Sequence, residues 1–305
     1  MAMNDNDRFA ITIGPVLYHW NRQTLMDFYA EMADSVADTL VLGEVVCSRR
    51  HELKTSDWLA LAKDLAATGK EVVLGTQVLV ESAADVRTLR RIVEEGELLV
   101  EAGDLSAVSV LTETGAPFVI GPHLNVYSRP GLTEYIRHGG MRWVAPVELG
   151  LDEVARIRAG EPTVPTEVFA QGRMPLAFSA RCFTARHHRL TKDQCAFRCG
   201  EDPDGLLLST SDGAPFLVLN GIQTQSAAQQ CLIGEGDALR RAGVSRVRLS
   251  PSSRGFGEVV AAYDDVLNRG GDVDAALRML QGLSLPGGPV DGFAHGQAGM
   301  AWSRA

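Results

Sequence analysis

Residues Thr39 to Thr76 read TLVLGEVVCSRRHELKTSDWLALAKDLAATGKEVVLGT. A short β-branched run at 39–42 leads through a polar connection to an amphipathic stretch at 56–68 and then to a second β-branched run at 71–76. Short apolar runs bounded by turn residues read as buried strands, and apolar residues returning at helical spacing read as a helix packed on them. Strand, helix, strand is the repeating unit of a parallel sheet covered by helices.

Outward from this unit the same alternation continues. Strands are expected at 10–16, 39–42, 71–76, 107–111, 118–120, 142–144, 167–170 and 246–249, and helices at 23–35, 56–68, 83–95, 131–137, 151–159 and 258–268. Eight strands is the barrel number, so the expected fold is α/β, a (β/α)-barrel of the TIM-barrel type, rather than an open doubly wound sheet. The regular spacing fails at about 171–243, where one βα step gives way to an inserted segment carrying Cys182, Cys195, Cys199 and Cys231. That insertion also holds a hairpin-like pair, 205–208 and 216–220, joined by the turn residues Ser211, Asp212 and Gly213. The expected organisation is a flexible N-terminus at 1–8, a barrel domain over 9–285 with the insertion packed at one end, and a loosely ordered tail at 286–305, rich in Gly and Pro.

At 305 residues and 45% hydrophobic, the chain can bury a large core without disulfide staples. The opening MAMNDND lacks the basic and apolar regions of a signal peptide, and Gly, Pro or charge interrupts every apolar run before ~18 residues. The expectation is a cytoplasmic protein with no transmembrane segment. A net charge of −9 speaks against nucleic acid as a partner, because phosphate binding leaves a basic footprint. Locally the charge reverses. Arg181, Arg186, Arg189, Lys192 and Arg198, with His187 and His188, stand against the single acid Asp193, and this basic island includes three of the five cysteines.

Few cysteines and an odd number speak against a disulfide framework and for metal binding or catalysis. Cys182, Cys195 and Cys199 form a C-x12-C-x3-C array, and Cys47 lies far upstream at the end of a barrel strand. The x3 spacing places Cys195 and Cys199 one turn apart on one face of an expected helix. Four thiolates suit structural zinc or a 4Fe-4S cluster, and ligand count does not separate the two. The isolation of Cys47 from the other three is unlike paired zinc knuckles, and the basic surroundings suit an anionic cluster. The alternative is a set of unrelated buried thiols. Cys231, in a helix-like run of small and polar residues, reads as a core cysteine.

Beside the cysteines, Arg49, Arg50 and His51 follow Cys47 directly and offer positive charge to a cluster or to an anionic ligand; otherwise they are ordinary loop charges. His187 and His188 point to different helix faces, so one at most faces a site. His123 and Asn125 fall at an expected C-terminal strand end, where barrel sites are built, or hold a hydrogen-bonded structural role. Glu44 and Glu148 also follow strands and would serve as acid or base only if buried. The candidate catalytic set is therefore Arg49, Arg50, His123 and His187.

The segments ITIGPVLYHW, LGEVVCSRRHE, GPHLNVY, APVELGL and ARCFTARHHRLTKDQCAFRC resemble those of iron–sulfur proteins in the collagenase-like peptidase family, from about Ile11 to the last helix. The cysteine spacing is the most specific part of that resemblance. It implies a barrel-like fold, a 4Fe-4S cluster held by Cys47, Cys182, Cys195 and Cys199, and a heterodimer with a homologous cluster-bearing subunit, UbiU. It further implies oxygen-independent hydroxylation of ubiquinone precursor rings, with prephenate as oxygen donor and the lipid carrier UbiT as a further partner. The rival readings are a non-catalytic, cluster-bearing scaffold or electron-transfer partner of UbiU, and a peptidase-type hydrolase. For the hydrolase the sequence offers neither a G-x-S-x-G elbow nor an H-E-x-x-H helix.

Overall fold

Alternation along each strand divides the apolar residues into two sets, and this division closes the barrel. Leu40, Leu42, Val72, Leu74, Phe118, Ile120 and Trp143 pack outward against helices in the main core. Their neighbours Val41, Val73, Val119 and Val144 form a separate apolar layer, as expected where one face of every strand meets helices and the other lines a lumen. The structure, a computed structural model, describes residues 8–95, 97–160, 163–283 and 285–304.

Along the chain, β1 (Ala10–Ile13), α1 (Arg22–Asp34), β2 (Thr39–Leu42), α2 (Thr55–Ala67), β3 (Glu71–Gly75), α3 (Ala83–Glu95) and β4 (Leu99–Ala102) alternate strictly. Next come α4 (Leu105–Thr114), β5 (Phe118–Ile120), α5 (Arg129–Arg137), β6 (Gly140–Val144), α6 (Leu151–Arg158) and the long β7 (Thr166–Phe178). The insertion contains α7 (Phe183–His187), β8 (Leu206–Ser209), β9 (Pro215–Asn220) and β10 (Gln223–Cys231). The repeat resumes with α8 (Gly236–Arg241), β11 (Arg246–Leu249), α9 (Phe256–Arg269) and α10 (Val273–Leu283). Parallel pairing runs from β1 to β7 in order, and β11 joins both β7 and β1, so eight parallel strands close on themselves. This is the TIM-barrel-like α/β fold expected from the sequence.

Three sequence expectations are corrected. The fourth strand is Leu99–Ala102, while 107–111 lies within α4. Asp104 caps that helix by accepting from Ser106 N at 2.7 Å, and Gly115 ends it in the left-handed region. Cys231 ends a strand rather than lying on a helix, because its run of small and polar residues is hydrogen-bonded to β7 on one side and β9 on the other. The tail is not loose where it is described: β12 (Pro289–Val290) pairs with β10, and buried Asp291 accepts from Ser303 N at 2.8 Å and Ser303 Oγ at 2.5 Å. Of the expected flexible N-terminus, residues 1–7 lie outside the described residues.

Beyond its barrel segment, β7 turns antiparallel to β10, which carries β9 and β8 as a side sheet. The insertion is thus anchored by main-chain bonding to a barrel strand and stands over the C-terminal end of the barrel, where (β/α)-barrel sites lie.

Half of the lumen is polar. Arg248 donates from Nε to Glu167 at 2.5 Å and from Nη1 to Glu101 at 2.9 Å, with Nη2 on the second Glu101 oxygen, while Thr12 donates to Glu167 at 3.1 Å. Nearer the N-terminal end, Glu71 takes Arg142 at 2.7 Å and Arg246 at 3.0 Å. The lumen therefore balances Glu71, Glu101 and Glu167 against Arg142, Arg246 and Arg248. Burial alone would raise the Glu167 carboxyl, but Arg248, Arg246 and Arg142 outweigh it and hold it below the usual carboxylate range.

A group depressed on folding stabilises the protein above its unfolded pKa and loses that contribution as pH falls through its folded pKa. Stability should accordingly fall on acidification below the ordinary carboxylate range. Arg248→Met leaves two buried carboxylates without their shared partner and should cost about 3–5 kcal/mol in urea unfolding at pH 7. A loss under about 1 kcal/mol would show that the network does not hold the barrel.

Candidate cysteine site

The site begins at the end of β2. Gly43 turns the chain at φ 127, and a Cβ there would lie 2.6 Å from the Gly75 carbonyl oxygen, so only glycine fits. The turn directs Glu44 inward, where its carboxylate accepts from the N–H groups of Val46 and Cys47 at 3.0 Å each. Cys47 is thereby fixed among Leu17, Val45, Val46 and Ile222, with Leu79, Phe178 and Cys182 packed against the same cluster. Ile222 and Phe178 belong to the insertion side, so the apolar wall is shared between barrel and insertion.

Cys182 precedes α7, and its sulfur accepts from Ala185 N at 3.4 Å. The helix is pinned to the side sheet by Phe183 N on Gly221 O at 2.9 Å and by Gly221 N on Thr184 Oγ1 at 3.0 Å. The expected helix through Cys195 and Cys199 does not form. Ala196 and Phe197 take left-handed conformations at φ 48 and φ 51, which breaks the path between two short 3₁₀ turns. Such a conformation costs a non-glycine residue roughly 1–2 kcal/mol, so a consecutive pair persists only where the surroundings over-determine it. Those surroundings are visible: Phe197 stacks at a tilt on His19 with centroids 5.5 Å apart, and Gly200 sits against the same imidazole.

The four cysteines predicted as ligands are brought together. Burial raises the Cys182 thiol, and the thiolates of Cys47 and Cys195 raise it further. Burial likewise raises Cys199, against Arg50, with Cys182 adding to the rise. Each sulfur thus lies within electrostatic reach of its neighbours in a largely dry setting, where thiols ionise readily only with a cation to take the charge. Among the described residues, Glu235, Asp291 and His295 bring their ligand atoms within 4.8 Å of one another. The Glu235 set lies where the tail docks, with Arg304 donating to Gly234 O at 2.8 Å. Cys231 is buried elsewhere, 3.9 Å from the Tyr263 hydroxyl.

Arg50 and Arg49 differ in role. Arg50 is buried, donates to Leu17 O at 2.8 Å and Asn220 Oδ1 at 2.7 Å, lies 3.7 Å from Glu44 and stands within hydrogen-bonding reach of the Cys199 thiol. Arg49 is partly exposed and clasps Asp193 through the carboxylate at 2.9 Å and the carbonyl at 3.0 Å, holding the loop before Cys195. Lys192 fastens the same loop to Glu81 and to Ala180 O. His51 and His187 are exposed, and His187 meets only the ring of His188, at 5.1 Å. His123 lies at the barrel mouth, apart from the sulfurs, with Asn125 left-handed at φ 56 behind it and Glu148 bonded to Tyr127. His19, Asn220 and Phe178 were not singled out in the sequence, because an isolated His, Asn or Phe carries no pattern until the insertion folds back.

The profile of peptidase family U32 matches residues 23–277. The chain belongs to peptidase family U32. Among solved structures, this U32 chain is similar to a U32 peptidase at 14% identity, covering 83% of this chain and 96% of that one with a TM-score of 0.45. It is similar at 11% identity to dihydropteroate synthase of Coxiella burnetii in complex with pteroic acid, covering 90% and 94% with a TM-score of 0.45. Thiamine phosphate pyrophosphorylase of Pyrococcus furiosus matches at 8% identity, 87% and 98% coverage and a TM-score of 0.45. Among the described residues of the U32 chain, no helix is long and apolar enough to cross a membrane.

The contrast between the adjacent arginines is testable. Arg49→Ala opens a pair whose acid is 87% exposed and should change unfolding free energy by less than about 1 kcal/mol. Arg50→Met strands Glu44 and Asn220 in a buried setting and should cost about 3–5 kcal/mol. Equal effects in parallel urea titrations would contradict this division.

Proposed function

We propose that this chain is a UbiV-type subunit that holds a 4Fe-4S cluster on Cys47, Cys182, Cys195 and Cys199 and acts, with a UbiU-like partner, in oxygen-independent hydroxylation of ubiquinone precursor rings. One observation carries the reading: four thiols from three stretches of chain come within electrostatic reach of one another at the barrel end, with a buried guanidinium among them. A bound cluster supplies one-electron redox chemistry.

The chain's own residues account for the rest. The Cys47 and Cys182 sulfurs lie against an apolar wall that keeps water from them, and hydrogen bonding and solvent exclusion at the sulfurs are what tune such a centre. Arg50 offsets part of the anionic charge that four thiolates bring and fixes Cys199 relative to Cys47. The loop before Cys195 is held from outside by Arg49 on Asp193. Arg50 is buried against Leu17 O, Asn220 and Glu44, and Arg49 is held by Asp193, so a role for an anion such as prephenate would fall to other groups or to the partner subunit. A UbiT-like carrier would present the lipid-borne ring.

Cys195→Ala or Cys199→Ala should lose most of the iron and acid-labile sulfide of anaerobically purified protein, while Cys231→Ser keeps both. In cells, the ligand variants should make ubiquinone with oxygen and fail to make it without. A Cys195→Ala strain with full anaerobic ubiquinone would refute the role given to these cysteines.

A further inference from the structure

The barrel mouth holds a second recess, distinct from the cysteine pocket. It measures about 80 Å³ and is lined by His123, Val147, Glu148, Phe169, Leu176 and Arg248. His123 follows Gly121, where the chain leaves β5 tight against β4; a Cβ there would strike the Ala102 carbonyl oxygen at 2.3 Å. Among the described residues His123 has no hydrogen-bond partner, and its one close contact is the Phe178 ring, edge-on at 4.8 Å between centroids. An inward-facing imidazole with no partner is an unmet polar group, and such groups in a barrel mouth are normally met by a ligand or by water.

The charges around it define what that ligand is. Arg248 forms the floor, yet its Nε, Nη1 and Nη2 already bond Glu101 and Glu167, and these two carboxylates offset the charge an anion would need. Glu148 at the rim adds negative charge. Burial, with the Arg248 charge second, holds the His123 pKa down at about 4, so the imidazole is neutral at pH 7 and offers a lone pair as well as an N–H. The walls are aliphatic and aromatic. The space suits one small ring rather than a larger ligand.

The position ties the recess to the cysteines. Phe178 packs against the Cys47 and Cys182 cluster on one side and against His123 on the other, so a single aromatic ring separates the two sites. We propose that the barrel-mouth recess binds an uncharged six-membered ring through its hydroxyl group, with His123 as the hydrogen-bond partner and Phe178, packed behind His123, as the ring shared with the cysteine site. Its part in ring hydroxylation rests on the reading of the preceding section; the binding does not.

The test uses the full-length chain, purified anaerobically with its iron, and titrates phenol, benzoate and toluene by calorimetry or ligand-observed NMR. Phenol should bind, and benzoate should bind about tenfold more weakly or not at all, since its charge would be buried beside Glu148 without a partner. His123→Phe should weaken phenol about fivefold and leave toluene little changed, because one hydrogen bond is removed and the apolar walls stay. Val147→Trp should fill the recess and abolish binding of both, which covers the case of a poorly folding His123 variant. Benzoate binding as well as phenol, or phenol affinity unmoved by His123→Phe and Val147→Trp, would overturn the proposal. Iron assay of the same samples separates the two claims: full iron without phenol binding defeats the recess alone, whereas phenol binding by iron-free protein supports the recess and counts against the cluster.

Discussion

The guanidinium of Arg50 joins parts of the chain that lie far apart in the sequence. It reaches the loop after β1 through Leu17 O, the side sheet through Asn220 Oδ1, the β2 turn through Glu44 and the insertion through the Cys199 thiol. Burying an arginine is costly unless each nitrogen finds a partner and the charge is offset. Here Nη1 and Nη2 find their acceptors in the loop after β1 and in the side sheet, and Glu44 offsets the charge, so the cost is reduced only when the insertion is closed against the barrel. The same closure places Cys182 and Cys199 opposite Cys47. Folding of the insertion and assembly of the sulfur site are in this sense one event.

The barrel was legible wherever strands are apolar on both faces. TLVL at 39–42 and EVVLG at 71–75 leave little choice, since the lumen and the helices both require aliphatic residues. The fourth strand failed because its second-last residue is Glu101. A carboxylate inside a strand reads as a break, and only the folded lumen supplies the Arg248 that makes it tolerable. The apolar stretch in α4 then took its place, although the Asp104 cap and the terminal Gly115 were local signs of a helix. The β10 run QTQSAAQQC was misread for a related reason. Its glutamines are buried in a sheet whose other strands lie before it and after it in the chain, and small polar residues have no strand signature of their own.

The cysteine spacing showed which thiols belong together but not how the chain between them runs. An i, i+4 interval suggests a helical face, whereas Ala196 and Phe197 adopt a conformation that no side-chain preference announces. His19 enforces it from a loop far away in sequence, packed against Phe197 and Gly200. Position alone also marked Arg49 and Arg50 as equals. The structure makes one a surface clasp and the other a buried hub, a difference set by Asn220 and Leu17. His123 was flagged by its place after a strand, and it lies at the barrel mouth, where glycine at 121 lets the chain pass close to β4.

The central claim is that these four thiols hold a cluster of several irons and not one zinc. Metal and acid-labile sulfide analysis of the anaerobically purified chain tests it most directly. The account predicts about four irons and four sulfides per chain, with little zinc. One zinc per chain and no labile sulfide would contradict it.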